Sequence, residues 1–163
     1  MKFGAEFNDR SISKWKNYNI DYNDLKLKIK LATSNKAPNP STSSEESLVA
    51  YDKTQKKLLK KLYKSFKQQI GFVSLFVNSK YGELSRRIQT SRNSLNDIIS
   101  KTDTPETLQS KTYQRLRNRK LAFIYKELNN ISTDLQELSR FILLQKIAVK
   151  KLLKKFIKYS DYH

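Results

Sequence analysis

The chain has 163 residues, with 33 lysines and arginines against 15 aspartates and glutamates, a formal net charge of +18. That length supports one domain with a core, and so large a cationic excess implies a polyanionic partner: nucleic acid, an acidic membrane surface or a highly phosphorylated small molecule. Cysteine is absent, which excludes disulfides, thiolate catalysis and cysteine-ligated zinc; only 3 glycines and 3 prolines occur, so turns are few and helices long.

Residues 1–32 read as a helical hairpin. Its opening, MKFGAEFNDR, lacks the apolar core of a secretory signal. Phe3, Phe7 and Ile12 mark a first short helix, and a second runs from about Asp21 to Leu31 with Leu25 and Ile29 as its apolar pair. Trp15 between them is expected to anchor the hairpin in the core. Tyr22 and Lys26 stand one helical turn apart, so a phenolic donor and an ammonium project from one face, and Lys30 continues it.

Residues 33–44, with Pro38, Pro40 and a run of hydroxyls, form a flexible linker. Ser43 lies three residues before Glu46, the spacing of a capping box, and opens a long helix over 45–100. Its stripe includes Leu58, Leu62, Phe66, Ile70, Val73, Leu84, Ile88, Leu95 and Ile98 at spacings of mostly three and four, with Gln55 and Ser91 filling two positions. Gly71 inside it marks a bend or a close helix contact.

Thr104 as N-cap and Pro105 at the first helical position start a second long helix over 105–142. Its stripe runs Leu121, Ile124, Leu128, Ile131, Leu135, Leu138, Ile142. A short connection makes the two long helices antiparallel neighbours. Over 143–160 the apolar residues spread around the helix, so this lysine-rich C-terminal helix is central, touching the long pair and the hairpin. The fold class is all-α: an N-terminal helical hairpin packed on two long antiparallel helices plus a basic C-terminal helix.

In that last segment Lys151, Lys154, Lys155 and Lys158 recur at i, i+3, i+4 and i+7, so their ammonium groups leave one arc of one face. Like charges at i,i+4 repel by a few tenths of a kcal/mol per pair. A solvated coiled-coil face would interleave glutamates, and none occurs between Phe141 and Tyr159. The arrangement therefore suits an anion.

The two ends of the chain together resemble the SPX domain. The likeness rests on MKFG at the start, Trp15 before the run Tyr18-Asn19-Ile20-Asp21-Tyr22, and Leu25-Lys26 after it. It rests equally on Lys151-Leu-Leu-Lys154-Lys155-Phe-Ile-Lys158 at the far end and on Ser44-Glu45-Glu46-Ser47-Leu48 opening a long helix. Residues 1–163 are covered as one SPX-like domain. The resemblance implies binding of inositol polyphosphates and inositol pyrophosphates, and a role in reporting phosphate status. The family's phosphate-binding cluster corresponds to Tyr22, Lys26 and Lys155, with Lys151, Lys154 and Lys158 as the accompanying lysine surface and Lys2 as a lesser contributor. Lys30 is a candidate from its own spacing alone. The chain departs from the family's pattern at Gln145, expected to concern helix geometry, and at Ile157, where a negative charge is lost.

No catalytic constellation is present: His163 is terminal, acidic residues lack metal-ligand spacing, and there is no phosphate-binding glycine loop. The expectation is a non-enzymatic regulatory domain with no cofactor, ligated by inositol hexakisphosphate or inositol pyrophosphates. Its other expected partner is a catalytic, transport or signalling domain of a host such as a polyphosphate polymerase subunit or phosphate transporter, in cis or in trans. No apolar run approaches the ~20 residues that span a bilayer, so a cytoplasmic location is expected, with membrane contact only through the host. The competing readings are a basic coiled coil on nucleic acid, using Arg86, Arg87, Arg115, Arg117 and Arg119, and a basic face on an acidic membrane.

Overall fold

The computed structural model describes residues 3–33, 45–101 and 111–160. Lys2, the linker from residue 34 to residue 44, the helix start at Thr104–Glu106 and His163 lie outside them. The described residues form α1 (Phe3–Arg10), a 3-10 helix (Ser13–Tyr18), α2 (Tyr22–Thr33), α3 (Glu45–Ser100) and α4 (Lys111–Tyr159), and include no strand. The fold class is therefore all-α, as expected. Helix α4 runs through Ile142 without a break, so the lysine-rich segment is the last part of one helix and not a separate element. The chain packs as two compact units, one of residues up to Phe76 and from Phe141 onward, the other Val77–Arg140.

In the first unit, α2 is the inner element. Asp21 caps it, its Oδ1 accepting a 2.9 Å hydrogen bond from the Asp24 amide, which satisfies one of the donors a helix start leaves unpaired. Leu25, Ile29 and Ala32 are 0–1% exposed, at the 3–4 spacing that puts them on one stripe. They meet Leu62 of α3 and Leu144, Ala148 and Leu152 of α4, with Phe7, Ile20 and Tyr22 closing the cluster. Each fully buried leucine stabilises by about 1.5–3 kcal/mol. Two glutamines of α3 bracket α2: Gln69 accepts from the Asp21 amide at 2.8 Å and donates to Asp24, and Gln55 donates to the Ala32 carbonyl at the other end. Gln55 thus fills a stripe position because it ends α2.

Trp15 is buried as expected. Its ring meets Phe76 edge-on at 5.5 Å and Phe141 at 5.9 Å, and Tyr18 stacks on Phe76 at 4.1 Å. Beneath this aromatic cluster lies a polar latch. Gln145 of α4, 5% exposed, accepts from the Ile20 amide at 3.1 Å and donates to Asn19 Oδ1 at 2.6 Å. Asn19 in turn donates to Ser11 Oγ, which donates to the Phe7 carbonyl. The expectation that Gln145 concerns helix geometry is replaced by this finding: its side chain ties the turn between the 3-10 helix and α2 to α4. Of the two roles expected for Gly71, the close helix contact is excluded, since a Cβ there would meet nothing within 4 Å.

In the second unit α3 and α4 run antiparallel, Arg87 facing Glu127 and Asp134 while Asp97 and Ile98 lie near Arg119–Ile124. Leu84, Ser91 and Ile98 are buried on α3, and Ile124, Ile131 and Leu138 on α4, a seven-residue repeat in each helix that makes a coiled-coil seam. The half-heptad positions are charged. Arg87 donates to Glu127 at 2.6 Å and to Asp134 at 2.7 Å, and a polar layer of this kind selects one register. Ile88, Leu95, Leu128 and Leu135, read as seam residues, are 37–44% exposed; they flank the seam because the paired charges take the inner places.

Removing the latch should be costly. Gln145→Leu leaves the buried Ile20 amide without its acceptor, and we expect a loss of about 1–3 kcal/mol in denaturant unfolding, with helical content unchanged.

The charged layer predicts a pH dependence. The hydrogen bond from Arg87 holds Glu127 below the usual carboxylate range. A depressed folded pKa contributes stability above the unfolded value of about 4.3 and loses it as pH falls through the lower folded value. Arg87→Met should therefore be less stable than the parent at neutral pH, and the gap should narrow in acid. Denaturant midpoints across that pH range measure it.

Candidate basic surface

The stripe that buries α2 also decides what it exposes. With Leu25, Ile29 and Ala32 inside, Asn23, Lys26, Leu27, Lys30 and Leu31 face outward. On α4, Ala148 and Leu152 are 0% exposed, which turns Lys151, Lys154 and Lys158 to solvent and leaves Lys155 half-buried at the edge of the core. At 3.6 residues per turn these lysines span an arc of about 100°. All lie in the first packed unit with α1 and α2.

Two contacts bracket the lysine stripe. Lys151 Nζ sits 4.0 Å above the ring of Phe3 on α1, a cation–π contact of the order of 0.5–1 kcal/mol at an exposed site. The same Phe3 ring lies 5.1 Å from Tyr22. Two turns after Lys151, Tyr159 lines a groove of about 620 Å³ with Asn23, Lys26, Leu27, Lys30 and Thr33 of α2. Lys151, Lys155 and Tyr159 recur at i, i+4 and i+8, so they share one edge of α4, and Lys155 stands between the Phe3 contact and the Lys26 groove. Lys26 and Lys30 thus line the groove that Tyr159 closes, and Lys155 and Lys151 precede Tyr159 by one and two turns on the same edge of α4. Lys154 and Lys158 lie further round the helix, beside that edge.

Tyr22 is placed differently from its expected position beside an exposed Lys26. It is only 4% exposed, packed against Phe3 and Phe7, and lines a crevice of about 350 Å³ with Gly4, Asn19 and Asn23. Burial pushes its pKa up, so the phenol keeps its proton and remains a donor. Gly4 permits the approach of α1: a Cβ there would lie 2.9 Å from Asn23 Oδ1 and 3.5 Å from the Tyr22 ring. The glycine of MKFG is thereby explained by the contact of α1 with the start of α2. Ile157, where the chain departs from the family pattern, is 57% exposed.

Phe3, Gly4 and Tyr159 were not singled out as site residues in the sequence. Tyr159 was legible as the continuation of the Lys151–Lys155 spacing. Phe3 was not, since nothing local links it to a lysine at the opposite end of the chain. The second basic patch is altered more severely. Arg87 is engaged by Glu127 and Asp134 and serves the helix seam, leaving Arg86, Arg115 and Arg119 exposed. Among the described residues no group of three or more His, Cys, Asp or Glu is placed to hold a metal ion. Nor is any described helix long and apolar enough to cross a membrane.

No family model matches the chain. Three proteins of Arabidopsis thaliana, each named an SPX domain-containing membrane protein, do match it. They are 25%, 28% and 24% identical over 99%, 99% and 100% of this chain, respectively. The chain spans about one fifth of their length, 19–20% in each case. Similarity over essentially the whole chain bears out the resemblance to the SPX domain carried by its two ends.

Proposed function

We propose that this domain binds inositol polyphosphates or inositol pyrophosphates on the basic surface shared by α2 and α4, and thereby reports phosphate status to a larger host protein. What supports the reading is the groove in which Lys26 and Lys30 of α2 face Tyr159 of α4, on the helix edge that Lys151 and Lys155 share, all within one packed unit. No acidic residue lies between Phe141 and Tyr159 to neutralise that surface.

The chemistry suits such ligands. A phosphorylated inositol ring presents dense negative charge in many directions, which flexible point-charge ammonium groups can follow. Arginine forks recognise one planar phosphate better, and this surface has none. The surface is open, so affinity comes from charge more than from apolar enclosure, and ligand relieves repulsion along the lysine stripe. The buried Tyr22 helps to hold Phe3, and hence Lys151, in place. A role as regulatory domain, not enzyme, follows from this reading. The relatives are membrane proteins of which the matched part is one fifth, and we infer a host of that kind here, with this domain working near a bilayer. The nucleic-acid reading is weakened because Arg87, central to the second patch, is engaged in the α3–α4 seam.

Lys26→Ala and Lys155→Ala should each weaken inositol hexakisphosphate binding by about 1–2 kcal/mol in calorimetry, with the melting point of the free domain unchanged. Unchanged affinity in both variants would remove this surface from consideration.

Binding should also fall steeply with salt, because exposed charges are screened over ~8 Å at physiological ionic strength. Hydrogen exchange on adding ligand should slow at the end of α4 and in α1–α2, and stay constant around Arg115–Arg119. The reverse pattern would favour the arginine patch.

A further inference from the structure

The groove between α2 and the end of α4 has a feature that a soluble inositol phosphate does not use. Leu27 and Leu31 are 56% and 52% exposed, and Tyr159, across the groove from Leu27, is 49% exposed. Leu27 and Leu31 are one turn apart, each directly following a lysine, so α2 presents an apolar ridge with a cationic border. Asp24, the one carboxylate within α2, is bonded to Lys28 at 2.6 Å and to Gln69 at 3.2 Å, and does not oppose that border. A ligand with dense negative charge alone would be served by the lysines; two outward leucines beside them add a contact suited to a partner with an apolar layer next to its charge.

We propose that this face docks on a membrane surface carrying polyphosphorylated lipid headgroups. The headgroup phosphates meet Lys26 and Lys30, Leu27 and Leu31 enter the interfacial layer, and Tyr159 lies at headgroup depth. The inference rests on the phosphate-binding reading of the same lysines. Three physical arguments select a lipid surface. Interfacial binding by a helix combines a basic border with aliphatic side chains that sink a short way below the headgroups. Tyrosine favours that boundary, with an apolar ring and a polar end. Juxtamembrane lysines each add attraction to anionic lipid, so a weak apolar insertion and a weak electrostatic contact reinforce each other. A soluble inositol phosphate and the membrane then compete for Lys26 and Lys30, and the ligand would release the domain from the bilayer. This gives the sensor an output that needs no change of fold.

The test uses the full chain, phosphatidylcholine vesicles with and without phosphatidylinositol bisphosphate, and the double variant Leu27→Ser/Leu31→Ser. Both leucines are exposed, and unchanged calorimetric affinity for inositol hexakisphosphate serves as the check that the variant is folded. The parent should sediment with the doped vesicles only, inositol hexakisphosphate should displace it, and the double variant should lose vesicle affinity by about tenfold or more. Equal sedimentation of parent and variant overturns the proposal, as does failure of the ligand to displace the parent. If the parent binds inositol hexakisphosphate but no vesicle, the docking is wrong and the proposed function stands; if it fails to bind the soluble ligand, the proposed function itself falls. Leucine-dependent capture of an acidic amphipathic peptide without vesicle binding would overturn the lipid assignment in favour of a protein partner.

Discussion

Burial of the Leu25–Ile29–Ala32 stripe is the constraint on which the candidate site depends. Helix α2 has 12 residues, too few to be stable alone in water. It persists because that stripe is covered by Leu62 of α3 and by Leu144, Ala148 and Leu152 of α4. The covering places the second helix of the chain against the last, and the basic surface follows from it. Whatever turns leucine and isoleucine inward on these two helices turns lysine outward on both. The surface is the complement of the core.

Apolar burial does not choose how α2 sits along its partners, because it is non-directional. Polar groups supply the direction. Gln69 and Gln55 hold the two ends of α2 on α3, Asp21 ends the preceding turn, and Gln145 holds that turn on α4. Each is a polar side chain meeting backbone or another polar side chain, where a mispaired group would remain unsatisfied. The second unit uses the same logic with charge: the apolar heptads would tolerate a slip, and the Arg87 layer does not.

The charge distribution separates two roles for the basic residues. Arg87 sits among carboxylates, its pKa pushed up by hydrogen bonds to Glu127 and Asp134, and is spent on structure. The lysines of α4 have no acidic residue in their own stretch of helix, and the one close aromatic partner described is Phe3 for Lys151. Residues engaged in fold-specific pairs are poor candidates for ligand capture, since a ligand would have to break those pairs first. That distinction favours the α2–α4 surface over the arginine patch, although both read as basic in the sequence.

Much of this was legible in the sequence because it is local. Helical periodicity is a property of residues three and four apart, so the all-α class, the two long helices and the single-face spacing of Lys151, Lys154, Lys155 and Lys158 could all be read directly. The inward stripe of α2 and the core role of Trp15 were legible for the same reason. What tertiary structure alone decided is which of two adjacent stripes faces inward and what meets across the chain. Leu128 and Leu135 read as seam residues, yet Glu127 and Asp134 take the inner places because a partner arginine on the other helix makes their partial burial tolerable. Tyr22 read as an exposed donor, yet Phe3 and Phe7 enclose it. Gln145 read as a detail of helix geometry, yet it accepts from an amide on the far side of the chain. In each case the outcome depends on a residue on another helical element, well beyond the reach of a helical turn. Sequence spacing carries no information about such a partner, because only packing brings the two within reach.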